Sequence, residues 1–179
     1  MNKRQQTLKL TMTGVFAAMI TIMTAYICHV PYGANGGYIH FGDALIYVAA
    51  VFLPRPYAMA AAAIGGGMAD LLTAPLWAPA TIMIKMIITL PFTSKEGQIL
   101  CPRNIIAPFL AALLSATGYY LAQGILFGSF VSVLASFAGS AVQSGGSAII
   151  FLALAVALDK AHMKSRTEEW LGLPIRKKA

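Results

Sequence analysis

Three ionisable side chains, Asp43, Asp70 and Lys85, stand in or beside long apolar runs of this 179-residue chain. A charge is costly in an apolar medium unless it is paired or wetted, so such residues are the first candidates for function. Each also has a purely structural use. Asp43 immediately precedes an apolar run, where an Asp N-cap is ordinary. Asp70 lies about one turn from the end of its run and can be solvated there. Lys85, six residues before Pro91, can snorkel to the polar surface, pair with Asp70 across adjacent helices, or touch a ligand. Gln143 opens Gln143-Ser144-Gly145-Gly146-Ser147 inside the last apolar run. Small residues there permit close helix packing, but the amide of Gln143 needs partners in an apolar medium. Asn35, Tyr38 and His40 share the segment Pro31 to Gly42, which is rich in Gly and aromatics and holds no basic residue. Such a loop can close over a small polar ligand. Trp77 starts a later apolar run, either as an interfacial anchor or as part of a site wall.

These groups do not assemble into a familiar catalytic pattern. The chain has no H-E-x-x-H, no G-x-x-x-x-G-K-[ST] and no G-x-S-x-G. Gly65-Gly66-Gly67 follows a helix-like stretch rather than a strand, so it is no nucleotide loop. Three His and two Cys without a cluster of ligands predict neither a metal site nor a cofactor. Cys28 and Cys101 suggest no disulfide framework. The expectation is a protein that is not an enzyme and cannot hydrolyse ATP by itself.

The elements that must position these residues follow from composition. Apolar residues make up 58% of the chain and charged residues only 11%, with a mean hydropathy of +0.72. A soluble domain carries roughly 25% charged residues. The composition therefore predicts an integral membrane protein, and the placement of the +7 net charge argues against a nucleic-acid partner. The first apolar run, Leu8 to Val30, is close to the ~20 residues that span a bilayer core, and no signal-peptidase-like site follows it. Further runs cover Ala44 to Leu53, Tyr57 to Leu72 and Leu76 to Leu90. A polar stretch, Thr93 to Asn104, comes next. Ile105 to Leu158 would be roughly 80 Å of helix, more than twice a bilayer core, so it must fold back, with Gly124 to Ser132 as the expected turn. The expected fold is all-α, a bundle of six transmembrane helices with a Gly-rich outer loop between the first two. Residues 1–160 form the membrane domain and 161–179 a basic tail.

Basic residues concentrate in cytoplasmic loops. With the N-terminus inside, six crossings place Lys3, Arg4, Lys9, Arg55, Lys95, Arg103, Lys160, Lys164, Arg166, Arg176, Lys177 and Lys178 in the cytoplasm, twelve of the thirteen basic residues. The three outer loops hold none. The expected location is a cell membrane with both termini cytoplasmic. The second segment is too short to cross unaided and is expected to be tilted or shielded. The tail, with Trp170, Leu171 and Arg176-Lys177-Lys178, is expected to lie on the anionic inner leaflet.

The order of several short motifs resembles a known family. Gly14-x-x-x-Ala18 lies in the first helix, with Ala17 beside it. Ile39-His40-Phe41-Gly42-Asp43 ends the outer loop. Gly65-Gly66-Gly67-Met68-Ala69-Asp70-Leu71-Leu72 and Trp77-Ala78-Pro79-Ala80-Thr81-Ile82-Met83-Ile84-Lys85 follow. The set resembles the substrate-binding S components of energy-coupling factor (ECF) transporters, in the branch with riboflavin-type and hydroxymethylpyrimidine- or pyridoxine-type members. The resemblance implies capture of a small water-soluble vitamin, or a related compound such as a modified nucleobase, from outside. It also implies a membrane scaffold subunit and two ATPase subunits as partners, with Gly14, Ala17 and Ala18 as the docking stripe. The candidate substrate-binding set is Asn35, Tyr38, His40, Asp43, Asp70, Trp77, Lys85 and Gln143. The alternative is an autonomous facilitator or proton-coupled carrier with Asp70 and Lys85 as its relay.

Overall fold

The computed structural model describes residues 3–27, 29–32, 37–128 and 133–172, without the side chains of 32–39 and 133–139. The described residues are mostly helical: α1 (Lys3–Ala25), α2 (Gly42–Phe52), α3 (Arg55–Thr73), α4 (Ala78–Ile87), α5 (Pro102–Phe127), α6 (Val133–Lys160) and α7 (Met163–Leu171). The seventh helix was not expected, because residues 161–179 read as a tail. The described residues between α1 and α2 include short strands as well. These are two antiparallel strands, β1 (Val30–Tyr32) and β2 (Gly37–Ile39), paired with Val30 opposite Ile39. Three helices, α1, α5 and α6, contain stretches long and apolar enough to cross a membrane, and shorter apolar helices lie between them.

Proline sets several helix boundaries. Leu53 is extended before Pro54, as the residue preceding a proline tends to be, and this ends α2. Pro56 sits in the first turn of α3, where its missing N–H costs nothing. A 3-10 turn, Pro75–Trp77, leads into α4. At the far end of α5, Gly128 takes the left-handed conformation (φ 63°) and its N–H bonds to the carbonyl of Gly124. The helix therefore continues through the first four residues of the expected turn. Residues 129–132 of that turn lie outside the described ones.

Helix α2 is the centre of the bundle. At 11 residues it is roughly 16 Å long, half a bilayer core. All of its residues except Leu45 are buried, against α1, α3, α6 and α7. A helix shielded by protein on all sides need not match the lipid thickness, which accounts for the short second apolar run. Tyr47 anchors the core beneath it. Its ring stacks on Phe92 at 4.8 Å between centroids and meets Phe151 edge-on at 5.8 Å.

The triple glycine of α3 lets two neighbours approach. A Cβ on Gly65 would stand 2.7 Å from Ile20 Cβ and 2.9 Å from the carbonyl oxygen of Ala17 on α1. A Cβ on Gly66 would stand 2.8 Å from Lys85 Cγ, and one on Gly67 2.6 Å from Ile82 Cγ1, both on α4. The absence of side chains at Gly66 and Gly67 thus lets α4, with its lysine, pack close, and that at Gly65 does the same for α1.

The expected polar stretch 93–104 is tied down at both ends. The Asn104 side chain accepts from the Thr93 N–H and donates to the carbonyls of Thr93 and Ile99. The Asp159 carboxylate, at the end of α6, accepts the N–H groups of Ile99 and Leu100 at 2.8 and 2.9 Å. Asp159 therefore braces this loop instead of merely opening the tail.

Candidate functional site

Asp43, Lys85 and Gln143 come from three different helices and meet. Asp43 stands in the first turn of α2, but no side-chain cap is made there. Its Oδ1 instead accepts from Lys85 Nζ at 2.6 Å and its Oδ2 from Gln143 Nε2 at 3.2 Å. Asp43 is 0% and Lys85 1% exposed, so the ion pair is shut off from solvent. The capping role open to Asp43 is thus replaced by a tertiary one. The ion pair the structure shows for Lys85 is with Asp43. Lys85 is fully buried and does not snorkel. Asp70 is buried near the end of α3, close enough to act electrostatically on both Lys85 and Tyr119.

A second layer surrounds the lysine. Its Nζ lies 5.5 Å from the centroid of Tyr119 on α5, in cation–π range. The Tyr119 hydroxyl bonds to that of Thr81 at 2.9 Å, and Thr81 lies one turn before Lys85 on the same face of α4. Trp77, one further turn back, meets Tyr119 edge-on at 6.0 Å and Phe127 at 5.7 Å. Trp77 is therefore part of an aromatic wall as well as a candidate interfacial anchor.

His40 is buried just before α2, and its Nδ1 accepts the N–H of Gly42 at 3.0 Å. Burial, with the charge of Lys85 next in weight, pushes its pKa down to about 3, so the ring is neutral at physiological pH. Asn35 lies outside the described residues, as does the side chain of Tyr38, whose backbone pairs with Pro31 in the hairpin.

Thr81 and Tyr119 were not among the candidate residues read from the sequence. The signal was present for both. Trp77, Thr81 and Lys85 are spaced four apart and must share a helix face. A tyrosine in an apolar run needs a partner for its hydroxyl.

A family model described as "ECF-type riboflavin transporter, S component" matches residues 4–160. The chain belongs to this family. It is also 29% identical over 140 residues to an "Uncharacterized protein in gap 3'region" of Pyrococcus woesei, covering 77% of this chain and 93% of that one. The family is one of transporter substrate-binding subunits working with a vitamin and an ECF module, not a family of enzymes. This S component is accordingly a multi-pass membrane protein.

The three residues of the expected docking stripe divide in this S component. Gly14 and Ala18 are exposed on α1, and a Cβ on Gly14 would meet nothing within 4 Å. Ala17 is 5% exposed and belongs to the internal contact with Gly65 on α3. The correction is geometric: residues 14 and 18, four apart, share one face, whereas residue 17 is turned about 60° away from Gly14 on a helix advancing about 100° per residue.

Proposed function

We propose that this S component captures a small, water-soluble, ring-containing vitamin from the outer side of a prokaryotic cell membrane. The carrying observation is the buried Asp43–Lys85–Gln143 network beneath Tyr119 and Trp77. Asp43 and Lys85 neutralise one another, and His40 is neutral. Aromatic faces and directional hydrogen-bonding groups suit a flat polar ring, as in riboflavin, pyridoxine, a hydroxymethylpyrimidine or a modified nucleobase. In this reading α1 to α6 are six crossings and the Gly-rich segment 31–42 is the outer roof. Residues 1–160 form the membrane unit, the segment from 161 onward lies at the cytoplasmic surface, and both termini are cytoplasmic. A membrane scaffold subunit and two ATPases supply the energy.

The rival reading, a lone carrier relaying protons through Asp70 and Lys85, is weakened by the commitment of Lys85 to Asp43. Native mass spectrometry of the gently purified protein, followed by titration with riboflavin, pyridoxine, hydroxymethylpyrimidine and free nucleobases, tests the proposal. Tight binding of one such compound by the isolated subunit, and co-purification with scaffold and ATPases, is the expected outcome. Uptake by the lone protein in liposomes driven only by a proton gradient would overturn it.

A further inference from the structure

At the end of α2 opposite Asp43, the structure has an open cavity of about 360 Å³, away from the Asp43–Lys85–Gln143 network. It is bounded by the start of α3 and the segment after α4. Arg55 and Lys95 stand at it with Ser94, while Ala50, Ala58 and Phe92 form an apolar side. The two basic residues are exposed, whereas Ala58, Phe92 and Thr89 are 1%, 3% and 3% exposed, so the cations lie at the rim and a mostly apolar wall with one hydroxyl lies deeper in. No carboxylate lines the cavity among the described residues; Glu96, next in sequence to Lys95, is not part of its wall. Hydrogen bonds tie the surroundings together. Lys164 on α7 donates to the carbonyls of Val51 and Ser94, joining the end of α2 to the loop that carries Lys95.

From this charge and polarity pattern we infer that the cavity binds the head group of an anionic phospholipid. The phosphate lies between Arg55 and Lys95 and the glycerol root lies against Phe92 and Ala58. A guanidinium suits a phosphate through paired N–H donors, an ammonium adds a point charge, and the apolar wall distinguishes an amphiphile from a free anion. Basic residues at this membrane surface face the leaflet where anionic lipids concentrate. That last point alone rests on the proposed topology.

The test titrates the detergent-purified subunit with short-chain phosphatidylglycerol, short-chain phosphatidylcholine and inorganic phosphate. Phosphatidylglycerol is expected to bind the native protein most tightly. Arg55→Gln/Lys95→Gln is expected to weaken it roughly 30-fold, taking each charge as about a fivefold effect, with vitamin binding unchanged. Lys95→Glu, which adds repulsion at an exposed position, should do the same. A phosphatidylglycerol preference that survives these substitutions, equal binding of phosphatidylcholine, or phosphate binding as tight as the lipid's would each overturn the assignment. Labelling of a cysteine introduced at Ser94 in intact cells, with Cys28 and Cys101 replaced by Ser, tests the topology separately. Labelling from outside would overturn the leaflet while leaving the lipid titration intact.

Discussion

Gln143 is the residue at which ligand contact and fold can be separated. It donates one hydrogen bond to Asp43, and the ion pair remains when the amide is removed. Losing one buried hydrogen-bonding group costs ~1–3 kcal/mol, roughly a 5- to 150-fold change in affinity. Gln143→Ala should therefore weaken vitamin binding by that factor, read by calorimetric titration, with the fold retained. Unchanged affinity would remove Gln143 from the site. Lys85→Met behaves differently, because it leaves Asp43 buried with only an amide for company. Breaking a buried pair in this way costs about 3–5 kcal/mol, so thermal unfolding should shift down strongly, and Lys85→Met/Asp43→Leu should recover part of the loss. A single variant as stable as the native protein would show that solvent reaches Asp43. Both charges were legible in the sequence, since an ion in an apolar run announces itself. Their partnership was not. It spans 42 residues, and it depends on the packing of α2 inside the bundle, which brings its first turn to the lysine of α4.

Helix α7 shows why the other end of the molecule was less legible. Its buried residues are Lys164, Thr167, Glu168 and Leu171, a clean i, i+3, i+4, i+7 stripe. Three of the four are polar, so apolar periodicity does not find it, and the sequence reads as a basic tail. Trp170 is exposed as expected of a surface anchor, but Leu171 is fully buried in the core. The stripe works because Lys164 reaches two backbone carbonyls. Glu168 gains less: its Oε1 lies 3.3 Å from Lys164 Nζ, and neither carboxylate oxygen has a hydrogen-bond partner among the described residues. Burial consequently lowers the pKa of Lys164 and raises that of Glu168 above the ordinary value of 4.5, against the opposing effect of the pair. The folded state then binds the Glu168 proton more tightly than the unfolded chain does. That contribution to stability is full below about 4.5 and is lost as pH rises through the raised value. Glu168→Gln should abolish this acid-side stabilisation and leave stability at neutral pH equal or higher. Lys164→Met should lower it, since two carbonyls then lose their donor and the Glu168 carboxylate its counter-charge. Chemical unfolding at pH 5 and pH 7.5 checks both, and an unchanged pH dependence in Glu168→Gln would reassign the effect to another group.

Across the whole molecule, the proposed separation of capture from transport is tested by which surfaces of α1 are already used. One face is taken by α3, where Ala17 lies under Gly65 and the Thr21 hydroxyl bonds to the carbonyls of Ala17 and Gly65. The face bearing Gly14 and Ala18 is open, and the absence of side-chain bulk there suits close approach by another helix. Three tryptophan substitutions therefore separate two roles within five residues. Gly14→Trp and Ala18→Trp should leave vitamin binding by the isolated subunit intact and abolish uptake in cells that supply the scaffold and ATPases. Ala17→Trp should destroy both, because an indole cannot fit where a glycine Cβ would already stand 2.9 Å from the Ala17 carbonyl. Overpacking of that size costs at least about 1–3 kcal/mol and displaces α3, which carries Asp70 and abuts Lys85 through Gly66. Binding titration beside whole-cell uptake measures the two activities separately. Joint loss in all three variants would mean that the whole stripe packs inside the fold. Normal uptake in Gly14→Trp and Ala18→Trp would place the docking face on another helix.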